Sequence, residues 1–467
     1  MKISFLFTEI GQKFGPLNYQ HGIASLSAVL KAAGFSTSLI HLTNKTDLLK
    51  WEEYIDKTKP DIIAAYSAAE QFHYIKELIS KVPKSIFTIC GGPHPTCYPE
   101  CIEELPRLDA ICIGEGEYPM LELTNALSNG KDHTCIMNLW VRKNGNIIRN
   151  VTRPFISNLD ELPFEDREIF NLQQAIDKYG LSQLRYMSTR GCPFHCTYCS
   201  NRRISQAQQG RYVRFFSTER IMSELNYLNS RYKFEEIFFD DDIFMMDKEI
   251  RKKFCERYPN EIGKPFVFCG RIELCSEDML KDLKSAGGRR IDFGIESGNE
   301  ELRRDILKRN MTNKQILEAI RISKAAGFKV KTLNMVGLPE ETIAKSLETV
   351  SLNRQIKPDV VSVFIFYPYQ GTELYNYCIE KGYFNPDEPL PKGYISRRIS
   401  LLNMPLFSKN DIQKCFQKFG FRVFIKFSLI KAFGYAVIYS RYGELLLKIT
   451  ARIRKILAKI LPGFKAY

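Results

Sequence analysis

The sequence predicts an α/β protein made of two successive parallel arrays, and three features of its 467 residues carry that prediction. Five short apolar runs alternate with helical stretches between Met1 and Gly114. An acidic, proline-bearing stretch, Ile156–Arg167, then breaks the rhythm. Six further βα steps follow from Leu184 to Phe366. Strands that alternate with helices form parallel sheets, because parallel neighbours need a crossover connection. The domains expected are residues 1–145, a linker 146–180, a second αβ region 181–404 and a basic helical region 405–467.

In the first region, Lys2–Phe7 reads as a strand, and His21–Gly34 as a helix with apolar residues at helical spacing and a glycine at its stop. Phe35–His41, Asp61–Tyr66, Ile86–Cys90 and Asp109–Ile113 are the next strands. The result is a doubly wound, Rossmann-like sheet, which binds ligands at the carboxyl ends of its strands. Two loops lie at those ends, Cys90-Gly91-Gly92-Pro93-His94-Pro95-Thr96 and Gly114-Glu115-Gly116-Glu117. Paired glycines let backbone approach a large flat ligand, and serve equally as tight turns.

The second array opens on Leu184–Thr189, an apolar β-branched run, followed by Cys192, Cys196 and Cys199 at spacing CxxxCxxC. Thiolates at this spacing can converge on one iron–sulfur cluster. Three ligands for four irons leave one iron open, as an open position marks a catalytic zinc. The competing readings are incidental cysteines or a structural zinc loop with His195 as the tempting fourth ligand. Zinc sites usually pair two CxxC knuckles, and the chain holds no second one.

The remaining steps read in order as helix Ser217–Tyr232, capped at Ser217 or Thr218 with Glu219 in its first turn, then strands Glu236–Phe239 and Phe266–Gly270. Helix Ser276–Ala286, strand Arg290–Ile295, helix Thr312–Ala326, strand Val330–Val336, helix Thr342–Ile356 and strand Val360–Phe366 complete the series. Active sites of such arrays sit at the carboxyl ends of the strands. Asp240-Asp241-Asp242 ends one of them; three adjacent carboxylates repel unless a cation sits among them, the alternative being a solvated turn. Glu296, beside Ser297, is placed to accept hydrogen bonds from ribose hydroxyls, or the pair caps a helix. Arg271 offers a cation to a carboxylate, or an ion pair at the surface.

Net charge is +14, with much of the excess near the end of the chain rather than in a nucleic-acid stripe, so no nucleic-acid partner is expected. Thirteen cysteines, an odd count without a disulfide framework, fit a reducing cytoplasm. Cys255, Cys269, Cys275, Cys378 and Cys415 lack cluster spacing and read as buried hydrophobes. Met1–Phe7 is too short for a signal peptide, and no run of about eighteen uncharged apolar residues would span a membrane. Leu445–Leu461 repeats apolar residues at three and four with cations between, as in a peripheral membrane anchor or a helix packed on the array with a basic outer face.

These motifs resemble those of the radical S-adenosylmethionine (SAM) enzymes, whose CxxxCxφC motif carries an aromatic at φ, here Tyr198. The resemblance implies a 4Fe-4S cluster on Cys192, Cys196 and Cys199 whose open iron binds the amino and carboxylate groups of SAM. Cleavage of SAM would give a 5′-deoxyadenosyl radical. It also implies a partial (β/α)6 TIM-type barrel, with Tyr198 against adenine, Asp240 or Asp241 on the methionine ammonium, and Glu296 and Ser297 on the ribose. The turn Gly337-Leu-Pro-Glu-Glu-Thr342 would lie near adenine, with Glu340 where the family has a glycine, an argument against positive φ at 340. In the sixth turn Gln370 replaces a proline.

The first region resembles the cobalamin-binding domain fused ahead of many such cores. The match covers the opening strand, the helix ending Ala33-Gly34-Phe35 and the two glycine loops, so that Gly91, Gly92, Gly114 and Glu115 would face a corrin. The linker pattern Leu159-x-x-Leu162-Pro163-x-x-Asp166-Arg167 is similar to the family's bridge. The DxHxxG histidine is missing, which implies a lower corrin face without a histidine ligand or a domain that has lost the cofactor; His94 as a cobalt ligand is a weaker idea than a loop histidine bonded to backbone. The activities implied are cobalamin-dependent methylation of an unactivated carbon, or a cyclisation, rearrangement or oxidation with the first domain as a corrin-free scaffold or lid. The implied partners are a small-molecule or lipid-like substrate and an electron donor such as flavodoxin or ferredoxin.

Overall fold

A computed structural model of the chain describes residues 1–10, 19–179, 183–390 and 397–439. It divides into two compact units. One comprises Met1–Ile291, Ala326–Phe328 and Pro368–Glu380; the other comprises Asp292–Ala325, Lys329–Tyr367 and the residues from Lys381 on.

The first unit opens with β1 (Lys2–Thr8), β2 (Ser36–Leu42), β3 (Ile62–Tyr66), β4 (Phe87–Gly91) and β5 (Ala110–Cys112), all paired in parallel. β6 (Leu139–Lys143) and β7 (Asn146–Arg149) add an antiparallel hairpin, giving the order β2-β1-β3-β4-β5-β6-β7. β1 is mostly apolar and buried because both faces are covered: Ile3, Phe5 and Phe7 enter one core, and Leu6 joins Trp51 and Phe72 in the other. The chain reverses direction across the sheet between β1 and β3, which places a crevice at their carboxyl ends. The hairpin was not foreseen, although its signal stands in the sequence. Asn144 and Gly145 both have positive φ, at 52° and 81°, as the commonest two-residue hairpin turn requires. The sheet therefore runs on to Arg149, and a division at 145 falls inside this turn.

After the linker come β8 (Gln183–Tyr186), β9 (Thr189–Arg190), β10 (Arg214–Phe215), β11 (Glu236–Phe239) and β12 (Phe266–Gly270). The run Leu184–Thr189, expected as one strand, breaks because Asp241 takes the Ser188 backbone N–H at 3.0 Å and its hydroxyl at 2.8 Å. β9 then turns aside to pair antiparallel with β10, while β8, β11 and β12 pair in parallel. Helix Thr218–Arg231 is capped by Ser217, whose hydroxyl accepts the Arg220 N–H at 3.0 Å. Helix Lys248–Glu261, capped by Asp247, went unread because only Arg251, Phe254 and Tyr258 are buried on it.

β13 (Gly288–Glu296) carries the chain into the second unit, which adds β14 (Lys329–Val336) and β15 (Val360–Ile365). The six strands follow in the order β8-β11-β12-β13-β14-β15, the open partial barrel expected. Helices Lys409–Phe424 and Leu429–Ile438 pack together where Gly420 leaves room for the Tyr435 ring; a Cβ at 420 would stand 2.3 Å from it. The Tyr435 hydroxyl donates to the Val361 carbonyl at 2.8 Å, so this helix pair lies on β15. Leu445–Leu461 lies outside the described residues, and no described helix is long and apolar enough to cross a membrane. One expectation is overturned here: Glu340 has φ +62°, so the turn after β14 does take the left-handed conformation at a residue that is not glycine.

Candidate active site

The cysteine loop leaves β9 through Gly191, at φ +91°. A Cβ there would meet the Tyr212 carbonyl oxygen at 2.6 Å, so only glycine brings the loop this close to β10. Cys196 is buried, and Cys192 and Cys199 are half-buried. The Cys199 N–H donates to the Cys196 carbonyl at 3.1 Å, and Leu374 N–H to the Thr197 carbonyl at 3.0 Å, which holds the turn under half-buried Tyr198. Burial pushes the Cys199 thiol up to about 12 and raises Cys192 as well, so these sulfurs ionise only with a cation in place.

Each sulfur nonetheless faces a donor. The backbone N–H groups of Phe194 and Asn201 point at Cys192 and Cys199, and Arg271 Nη1 lies 3.7 Å from Cys196 Sγ. That donor set fits metal-bound thiolates. Among the described residues no three His, Cys, Asp or Glu side chains gather round a single ion. His195 is exposed. Arg271 is held to this loop, stacked 3.8 Å from the Phe194 ring centroid and paired with Glu273 at 2.5 Å.

The three aspartates after β11 separate sharply. Asp240 receives both arms of Arg185 and the Nε2 of His21 at 3.1 Å; against the upward push of burial, these cations hold its carboxyl below the usual range. Asp241 is buried, braces Ser188 and is pushed by burial to about 6. Asp240 is thus already ion-paired, while Asp241 keeps its buried Oδ2 without a hydrogen-bond partner. Asp242 stands exposed on the cavity wall, where desolvation by the surrounding protein raises its carboxyl against the hydrogen bond from the Asn201 side chain. Asn201 in turn accepts the Tyr212 hydroxyl at 2.6 Å. Asn201 stands two residues after Cys199, so the same short segment supplies a sulfur ligand and a support for the carboxylate.

A cavity of about 360 Å³ opens beside these groups, in the size range of cofactor sites. Gly91, Gly92, Thr96, Gly114 and Glu115 line it from one side, and Arg190, Gly191, Asn201, Tyr212 and Asp242 from the other. Gly92, at φ +102°, lies so close to Tyr66 that a Cβ would touch the ring at 3.0 Å. At Gly114 the close approach is made by the protein: Gln208 Oε1 accepts the Glu115 N–H at 2.8 Å and stands where a Cβ would be. Glu115 is half-buried between Arg190, at 2.8 Å, and Arg214, at 2.9 Å, and accepts the Ile156 N–H at 2.8 Å. Despite burial, these cations hold its carboxyl below the usual range. Its side chain ties the loop to β9 and β10, while Gly91, Gly92 and Gly114 line the cavity with backbone. That cradle fits a corrin.

His94 does not line the cavity. Its backbone N–H donates to the Ser67 carbonyl at 3.0 Å, while its ring packs 4.2 Å from Phe72 with neither nitrogen bonded, and burial drives its pKa down to about 3.

Glu296, Ser297 and Gly337 belong to the second unit. Glu296 ends β13 at φ +66°, beside Gly294, where any Cβ would meet its Oε1 at 2.5 Å. Ser297 is fully buried and its hydroxyl accepts the Asn299 N–H at 3.2 Å, the turn-capping alternative. Gly337, at φ +78°, and Leu338 donate their N–H groups to Glu341 Oε2 at 2.6 and 3.1 Å. Burial raises Glu341 to about 8.

Sequence reasoning missed the polar wall of the cavity. His21 Nδ1 meets Glu165 at 2.9 Å, and Glu165 also accepts Tyr19 at 2.9 Å and Arg167 at 3.0 Å. Glu165 sits inside the linker pattern, whose neighbour Asp166 accepts Ser27 at 2.5 Å and pairs with Lys31 at 2.6 Å. The charge density of the linker was the available signal.

Residues 186–352 match the family model of the Radical SAM superfamily, and residues 9–124 that of the B12 binding domain. An uncharacterised methyltransferase of Pyrococcus horikoshii is 31% identical over 333 residues, 70% of this chain and 71% of that protein. The anaerobic magnesium-protoporphyrin IX monomethyl ester cyclase of Rubrivivax gelatinosus is 26% identical over 76% of this chain and 65% of that protein. Among solved structures, the radical SAM methyltransferase TsrM of Kitasatospora setae, with cobalamin and a [4Fe-4S] cluster bound, superposes with TM-score 0.66 at 14% identity, covering 89% of this chain and 85% of that one. The cobalamin-dependent radical SAM enzyme OxsB gives TM-score 0.72 at 17% identity, covering 99% and 75%, and so shares the fold. This chain belongs to the radical SAM superfamily, in the branch that carries a B12-binding domain ahead of its core. Its cofactors are accordingly a 4Fe-4S cluster, SAM and cobalamin.

Proposed function

We propose that the protein is a cobalamin-dependent radical SAM enzyme that methylates an unactivated carbon of a small molecule. The observation that carries this reading is one cavity lined from both sides, by the glycine loops within the B12-binding match and by the segment around the cysteine motif. When bound, the cluster supplies the electron that cleaves SAM and the corrin carries the methyl group. The chain's own residues bind, orient and enclose. Cys192, Cys196 and Cys199 hold the cluster. Asp242, on the cavity wall and fixed by Asn201, takes the methionine ammonium, Asp240 being already paired with Arg185 and His21. Tyr198 takes the adenine. Gly91, Gly92 and Gly114 seat the corrin. An outside one-electron donor is needed.

Cyclisation or oxidation without methyl transfer is the second reading, favoured by the likeness to the magnesium-protoporphyrin cyclase. Anaerobic incubation of the reconstituted protein with SAM and cobalamin separates the two once a substrate is found: 5′-deoxyadenosine together with S-adenosylhomocysteine marks methyl transfer, and deoxyadenosine alone marks the other outcome. Cys196→Ala is expected to lose bound iron and all SAM cleavage while the chain stays folded. An iron-loaded, active Cys196→Ala protein would refute the assignment.

A further inference from the structure

The cysteine loop is joined to both glycine loops through the side chain of Arg190. This residue stands on β9 immediately before Gly191 and Cys192, and its backbone is fixed by pairing with Arg214 on β10. Its guanidinium forks: Nη1 donates to Glu115 Oε1 at 2.8 Å, and Nη2 to Glu117 Oε1 at 2.7 Å. Glu117 is buried and also accepts the Ser25 hydroxyl at 2.8 Å. Glu115 takes Arg214 on its other oxygen at 2.9 Å. The loop so held begins at Gly114, whose N–H donates to the Thr96 hydroxyl oxygen at 3.0 Å. Thr96 in turn donates to the Gly92 carbonyl at 2.8 Å. Hydrogen bonds thus run without a break from the residue before the cysteines to the two loops that line the cavity.

A planar guanidinium that holds two carboxylates at once fixes direction as well as distance, so neither loop shifts without the other. Three sulfurs closing on one cluster remove freedom from Cys192, and hence from Gly191 and Arg190. A segment already ordered by one ligand costs less to order around a second, which makes the two bindings cooperative, and such coupling is reciprocal. Resting on the reading that the cysteines hold a cluster and the glycine loops a corrin, we propose that Arg190 is a positioning residue that couples the two seats. The assembled cluster tightens cobalamin binding, and bound cobalamin protects the cluster. Arg190 acts through Glu115 and Glu117; no bond is made or broken and no proton moves.

The test measures the affinity of the full chain for hydroxocobalamin by anaerobic equilibrium dialysis, with and without its reconstituted cluster, in wild type, Arg190→Gln and Glu117→Ala. In the wild type the cluster should tighten binding about fivefold or more. In Arg190→Gln that gain should disappear, and Glu117→Ala, which cuts one arm of the fork, should fall between. A purely structural bond, or a direct contact with the corrin, would weaken both forms by the same factor and leave the gain intact, which would overturn the coupling. The reciprocal readout is the half-time of cluster bleaching by an iron chelator: cobalamin should lengthen it in the wild type and leave it unchanged in Arg190→Gln. Glu117→Ala keeps the Arg190–Glu115 pair and decides the matter if Arg190→Gln does not fold. Equal affinities of the wild type with and without its cluster overturn the coupling alone, whereas a chain that binds no cobalamin in either form fails the proposed function as well.

Discussion

At the scale of single residues, the acid triplet shows how neighbours assign roles that adjacency in sequence leaves open. Asp240, Asp241 and Asp242 look equivalent in sequence, yet Arg185 and His21 hold the first at the cavity wall, Ser188 holds one oxygen of the second, and the third reaches the cavity beside Asn201. Losing a charge-assisted hydrogen bond costs about 1.5–3 kcal/mol, roughly tenfold to a hundredfold in affinity. Asp242→Asn is therefore expected to weaken SAM binding by that factor, read by titrating the reconstituted protein, with little change in melting temperature. Asp240→Asn should do the reverse, because it strips Arg185 and His21 of their shared partner. A normal SAM affinity in Asp242→Asn would remove that residue from the site. The spacing of the cysteines was fully legible, since ligand chemistry fixes it locally. How the aspartates divide their partners was not, because His21 lies 219 positions away from Asp240.

At the scale of elements, the strands and most helices could be read because apolar periodicity is strong where both faces are covered, as in β1 and β11. Three elements escaped for identifiable reasons. The β6–β7 hairpin was signalled only by Asn144-Gly145, helix Lys248–Glu261 buries too little, and the strand before the cysteines breaks through a long-range bond from Asp241. The loop after that break depends on Gly191. Gly191→Ala adds a Cβ 2.6 Å from a backbone oxygen at positive φ, a strain of about 1–3 kcal/mol. The expected result in denaturant titration is a loss of that size, together with lower iron content after reconstitution. An unchanged midpoint and full iron would show that the turn has slack.

At the scale of the whole molecule, the linker binds the first unit internally, joining helix His21–Ala32 to the end of β11 through the set His21, Glu165, Arg167, Asp240 and Arg185. Burial opposes protonation of His21, but Glu165 and Asp240 outweigh it and raise its pKa to about 9, above the usual 6.5. A raised value means that its contribution is complete below about pH 6.5 and disappears as pH climbs through 9. Glu165 moves the other way: burial is outweighed by His21, its pKa falls to about 2, and its contribution is lost only as pH drops from about 4.5 through 2. Melting temperatures of the wild type should thus decline between pH 6.5 and 9, and His21→Gln should flatten that decline. Parallel profiles for the two proteins would mean that the charged set does not hold the unit together.

The central claim is that one cavity holds a corrin beside the cluster loop. Electron paramagnetic resonance of the chain loaded with both cofactors and reduced to paramagnetic cobalt and cluster tests it most directly. The account predicts signals broadened or split by magnetic interaction between the two centres, restored to an isolated cobalt signal in Cys196→Ala. Two sharp, independent spectra from a fully loaded wild-type chain would contradict it.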